Sequence, residues 1–160
     1  MNINCKISSD LKVLNEYNKI YDWIPNENQI RPSDMNIFIK DILKNKIDLE
    51  YNSTRDYILI NLFNFNGNLV NGKYKAEESN SKLHKFEVNR FKYKLNKKTF
   101  HYIMWYNCDK DNLTENEIDQ DIRRGIYNLL RTDEYEYVWY ENPKMTINDV
   151  YHLQVFFIKK

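Results

Sequence analysis

FHYIMWYNCDKDNLTENEIDQDIRRGIYNLLRTDEYEYVWY, residues 100–140, is the stretch that decides the fold. It opens on FHYIMWY (100–106) and closes on YEYVWY (135–140), two runs whose aromatic and β-branched content reads as strand. Between them lies an amphipathic helix of about 16 residues. Ile118, Ile122, Ile126, Leu129 and Leu130 share one of its faces. Thr114 with Glu117 forms a capping box: the Thr hydroxyl accepts from the Glu117 amide while the carboxylate reaches back to the Thr amide. Acidic residues crowd the first turns and Arg131 stands in the last, as the helix dipole prefers. A third run, YHLQVFFIK (151–159), completes the set. Two of the three strands are apolar on both faces, which implies central strands covered by helices. Strand, helix and strand in succession can form a right-handed crossover or a more irregular α+β arrangement.

Working back towards the N-terminus, Ser33 and Asp34 open DMNIFIKDILKNK, whose isoleucines and leucine predict a helix over about 34–45. Ser53 with Asp56 caps YILINLFNF, and that pair tips an ambiguous period towards helix. Residues 66–82, NGNLVNGKYKAEESNSK, hold two of the three glycines and little apolar content. They read as a mobile loop or small excursion. Residues 1–30 are expected to pack on the rest as an N-terminal extension. The fold class is α/β (α+β): one domain over 1–160, a central, mostly buried sheet with N-terminal helices and the long helix of about 115–131 packed on it.

With 160 residues, 42% of them hydrophobic, the chain can bury one good core and not two. Charged residues nearly cancel to +1, so no global field recruits nucleic acid or an anionic membrane. Two cysteines, Cys5 and Cys108, cannot build a disulfide framework, and MNINCKISSD does not read as a signal peptide. The expectation is a soluble cytoplasmic protein, with no run near the roughly 20 apolar residues of a membrane-spanning helix. The sequons NST (52–54) and NLT (112–114) then carry no sugar.

In a strand alternate side chains share a face, so His152, Gln154 and Phe156 point one way, and His101, Ile103 and Trp105 form a like set. Both histidines sit at strand starts. If the strands are neighbours, the two imidazoles could face one cleft and act as acid, base or phosphate-binding donor; the competing reading is two satisfied, partly buried strand histidines. Neither segment carries the hydroxyl of the H-x-[ST] phosphoesterases, since Ile103 and Gln154 stand there. A histidine triad would need histidines at 154 and 156. CDKDNLTENEIDQD (108–121) fails as a calcium loop at Thr114, where glycine is required, and at Gln120, where the bidentate Glu belongs. No zinc-type cluster is present, and neither metal nor cofactor is expected. KLHKFEVNRFKYKLNKK (82–98) interleaves Phe86, Phe91 and Tyr93 with lysines and Arg90. Such a mixture can stack bases and hold phosphates, but it is more often a solvated basic face, so nucleic-acid binding is not expected.

Four motifs together resemble one family: N-R-F-K-Y-x-L at 89–95, H-Y-I-M-W at 101–105, W-Y-E-N-P at 139–143, and the terminal D-V-Y-H-L-Q-V. They are similar to the family that includes the N-acetylglucosamine-induced protein of fungi and relatives in large DNA viruses. The second predicted helix and the residues before it, 33–65, are similar too. This chain departs from the pattern at Lys92, where the family has proline, at Arg90, where aspartate is usual, and at Gln154, where a second histidine often stands. The resemblance implies an intracellular α/β domain with its site near these motifs, in the host cytoplasm if the protein is viral. The fungal name implies a link to amino-sugar metabolism.

The functional expectation is a cleft that binds a phosphorylated small molecule such as a nucleotide or nucleotide sugar. Arg90 would hold a phosphate, Tyr93 and Tyr140 would stack, Asn142 would line the cleft, and His101 and His152 would donate hydrogen bonds or transfer protons. The alternative is a non-catalytic module whose aromatic surface meets a protein partner.

Overall fold

The computed structural model describes residues 34–89, 98–141 and 149–160. Two helices come first, α1 (Asp34–Glu50) and α2 (Thr54–Asn61), followed by the strands β1 (Gly67–Val70), β2 (Lys73–Ala76), β3 (His84–Val88) and β4 (Phe100–Tyr106). A short 3-10 turn (Lys110–Asn112) leads to α3 (Glu115–Leu130), and β5 (Tyr135–Tyr140) and β6 (His152–Lys159) close the fold. The three strands and three helices read from the sequence are all present. The segment 66–82 forms a β-hairpin, β1 paired with β2, and Gly72 supplies the left-handed backbone (φ 82°) that its tight turn requires. Residues 1–30 lie outside the described residues.

The main sheet has four strands in the order β3-β4-β6-β5, every neighbour antiparallel. Since β4 and β5 both oppose β6, they run parallel to each other with β6 inserted between them. The α3 connection is therefore a crossover between parallel strands that skips one strand, in an α+β domain whose neighbouring strands are all antiparallel. Register pairs His101 with Phe156, Ile103 with Gln154, Trp105 with His152, and Tyr140 with Gln154.

The face of the sheet against α3 carries the larger of the core clusters described below. Met104, Tyr106, Leu153, Val155, Phe157, Tyr137 and Trp139 bury their side chains against Ile118, Ile122 and Ile126 of α3, each such burial worth about 1.5–3 kcal/mol. The helix is fixed at both ends. Thr114 Oγ1 accepts from the Glu117 amide at 3.1 Å, and Arg131 at the C-cap takes a left-handed conformation (φ 56°) that returns its amide to Tyr127 O. The Glu117 carboxylate pairs with Lys82. In mid-helix, Gly125 lets α3 approach the sheet: a Cβ there would stand 2.6 Å from the Phe86 ring.

A second, smaller cluster joins α2 and the hairpin to the sheet through Ile58, Leu59, Phe63, Ala76 and Val150, with Trp105 packed against it. Asp56 organises this junction. Its Oδ2 accepts from the Ser53 hydroxyl at 2.6 Å and its Oδ1 from the Ala76 amide at 2.8 Å, while the Ser53 oxygen accepts from the Asp56 amide. Arg55, one residue earlier, donates to the carbonyls of Asn107 and Asp149 and pairs with Glu78. Asn107 in turn holds the segment entering β3, accepting from the Leu83 amide and donating to Ser81 O, each at 2.7 Å.

Candidate functional site

The face of the sheet turned away from α3 carries a polar and aromatic stripe. Alternation along β4 and β6 puts His101, Ile103, Trp105, His152, Gln154 and Phe156 on that side, and the β5 register adds Tyr140, Val138 and Glu136. His101, His152 and Gln154 are buried, at 2%, 6% and 5% exposure. Polar side chains so far from water need hydrogen bonds. His101 Nε2 lies 2.5 Å from Gln154 Oε1, which makes Nε2 the protonated nitrogen. The Asn89 side-chain amide nitrogen lies 3.4 Å from Nδ1 and 3.2 Å from Nε2 of the same ring. Asn89 is itself buried, and its backbone amide donates to His101 O, extending the β3–β4 ladder. His152 donates from Nδ1 to Val150 O at 2.9 Å.

Aromatic rings line the same side. His101 stacks on Phe156 with centroids 4.2 Å apart, and Phe156 stacks in turn on Tyr140 at 5.7 Å. His152 stacks on Trp105 at 4.7 Å. Glu136 stands at the far end of the stripe, opposite Ile158. Its Oε1 is 3.8 Å from Lys160 Nζ, and its Oε2 is buried without a hydrogen-bond partner among the described residues.

The two histidines share a face, as the strand alternation required, but not an end of the sheet. Both begin their strands, and antiparallel pairing sends those starts to opposite edges. His101 sits opposite Phe156 and His152 opposite Trp105, so the rungs are four residues apart, about 13 Å along the strand. That separation excludes proton transfer by both imidazoles at one atom. Tyr140 lies on the stripe, buried at 3% exposure. Arg90, Tyr93 and Asn142 lie outside the described residues.

Asn89, Trp105 and Glu136 were not read as site residues from the sequence. Asn89 lies in the run 82–98, whose lysines read as a solvated basic face. Trp105 was placed with His101 by alternation but given no role, and Glu136 required the register that only strand order supplies.

No protein-family model matches the chain, and no curated protein matches it. Among solved structures it is similar to one described as "Crystal Structure of HTC1", at 13% identity and a TM-score of 0.48, over 95% of this chain and 84% of that one. Among the described residues no helix is long and apolar enough to cross a membrane.

Proposed function

We propose that the stripe from His101 to His152 is the binding face for an extended phosphorylated small molecule, a nucleotide or a nucleotide sugar. The observation that carries this reading is the placement of both imidazoles on one face of the sheet, flanked by stacked rings and joined to further hydrogen-bonding side chains. The spacing of about 13 Å between their rungs suits a ligand with recognition groups at two ends and not a compact one. Base or sugar would lie against Tyr140, Phe156 or Trp105. His152, engaged at Nδ1 by Val150 O, would present Nε2 to the ligand, and Gln154, held through Oε1 by His101 Nε2, would donate its amide N–H to a phosphate oxygen. Glu136 Oε2, buried without a partner among the described residues, would accept from a sugar hydroxyl. The motif resemblance to the fungal N-acetylglucosamine-induced family supports a sugar-bearing ligand.

Titration calorimetry with a panel of nucleotides and nucleotide sugars tests this. The parent chain binds at least one of them, and His101→Gln or His152→Gln lowers the affinity about tenfold, roughly 1.4 kcal/mol, with the fold retained. Two destabilised variants and a parent that binds nothing on the panel would return both residues to a structural role.

A second reading rests on a different surface. Leu69 and Tyr74 are cross-strand partners on the hairpin, and with Val70 they are exposed at 65%, 42% and 45%. An apolar hairpin tip is a contact surface for a protein partner. Leu69→Ser with Tyr74→Ser would abolish such a contact and leave ligand binding untouched.

A further inference from the structure

On the opposite face of the sheet, the segment entering β3 and the first turns of α3 bound an open cleft of about 280 Å³, lined by Lys82, His84, Tyr106, Glu117, Gln120 and Asp121. Nothing in the stripe reaches it. Tyr106 donates its hydroxyl to Asp121 Oδ2 at 2.8 Å. Burial, reinforced by that hydrogen bond, pushes the phenol pKa well above its ordinary range, so Tyr106 keeps its proton and fixes the carboxylate. His84 Nδ1 stands 3.8 Å from the same oxygen, with its side chain 40% exposed at the cleft mouth. Its ring leans on Tyr106 with centroids 5.9 Å apart. Lys82 is paired with Glu117, the contact that raises the lysine pKa.

The charges then sort themselves. Lys82 and Glu117 cancel, and the remaining carboxylate of the cleft is Asp121, beside Tyr106 and His84. A carboxylate offers about four acceptor positions, and Tyr106 occupies one. Gln120 adds an amide oxygen, and the His84 ring stands at the mouth of the cleft. Negative charge and spare acceptors call for a cation that carries several N–H donors. Among the described residues, no three His, Cys, Asp or Glu side chains gather closely enough to hold a metal ion, so an organic cation fits better than a divalent metal.

We propose that this cleft is a second ligand site, taking the ammonium group of a small organic amine, with Asp121 as counter-ion and Gln120 as a further acceptor. The probes are putrescine, which is cationic at neutral pH, and the uncharged diol of the same carbon length, added to the full chain. Backbone amide spectra should show putrescine, and not the diol, shifting residues 82–84 and 117–121. Asp121→Asn should weaken putrescine at least tenfold. Lys82→Gln should tighten it several-fold, because it releases the Glu117 carboxylate. That second variant alters an exposed side chain and stays informative if Asp121→Asn fails to fold. Equal shifts from the diol, or weaker putrescine binding in Lys82→Gln, would overturn the site.

Discussion

His101 Nε2 and Gln154 Oε1 meet at 2.5 Å across neighbouring strands, both side chains buried. Each is the other's partner in a place that water does not reach. Gln154→Leu would keep the volume and remove the acceptor, stranding the imidazole N–H at a cost of about 1–3 kcal/mol. Urea denaturation of the variant should show that loss. An unchanged midpoint would mean that the pair adds nothing to the fold.

Asp119 ties the core face together. Although buried, its Oδ1 accepts from Tyr137 Oη at 2.7 Å and from Trp139 Nε1 at 3.1 Å, so one carboxylate of α3 satisfies two donors of β5. Asp119→Ala removes the acceptor that the Tyr137 and Trp139 donors share and should destabilise by about 1–3 kcal/mol. Thermal melts of Asp119→Ala alongside the Tyr137→Phe, Trp139→Phe double variant separate the terms. The double variant, which takes both donors from a buried carboxylate and trims Trp139 in the core, should lose at least as much stability as the single one.

Thr114→Ala removes the acceptor for the Glu117 amide at the start of α3. The expected loss is about 0.5–2 kcal/mol, and Thr114→Ser should restore most of it. A melting temperature equal to that of the parent would show that the cap carries no weight.

Four tyrosines predict how stability falls in alkali. Burial raises the phenol pKa of Tyr102, Tyr106, Tyr135 and Tyr151 above its ordinary value, and at Tyr106 and Tyr151 a hydrogen bond to Asp121 or Glu141 adds to it. The unfolded chain then releases these protons at lower pH than the folded one. Their contribution is present in full below about pH 10 and is lost as pH rises from there through the folded values. Urea midpoints measured between about pH 8 and 11 should hold level and then drop, and Tyr106→Phe should soften the drop. A midpoint that rises above about pH 10 contradicts the sign.

The elements were legible where local physics is strong. Thr114 with Glu117, and the isoleucines at 118, 122 and 126, mark α3 because capping and period agree. The three aromatic runs mark β4, β5 and β6 for the same reason. The hairpin was not legible as strands: Leu69, Val70 and Tyr74 are too few and too exposed for an alternation signal, and their pairing depends on the turn at Gly72. Of the candidate site, alternation alone put His101 with Ile103 and His152 with Gln154. The distance between the histidines was out of reach, because a strand start says nothing of which end of the sheet it occupies until direction and order are known. The cleft at His84 and Asp121 joins residues 37 positions apart, and its only sequence trace was a histidine inside a basic run.

The chain contains three histidines, and their imidazole resonances read the proposed binding face directly. Spectra of the ring nitrogens recorded while a nucleotide sugar is titrated in should show His101 and His152 shifting together while His84, on the opposite face, stays in place. Shifts confined to His84, or none with any nucleotide or nucleotide sugar on the panel, would contradict a ligand site on the stripe.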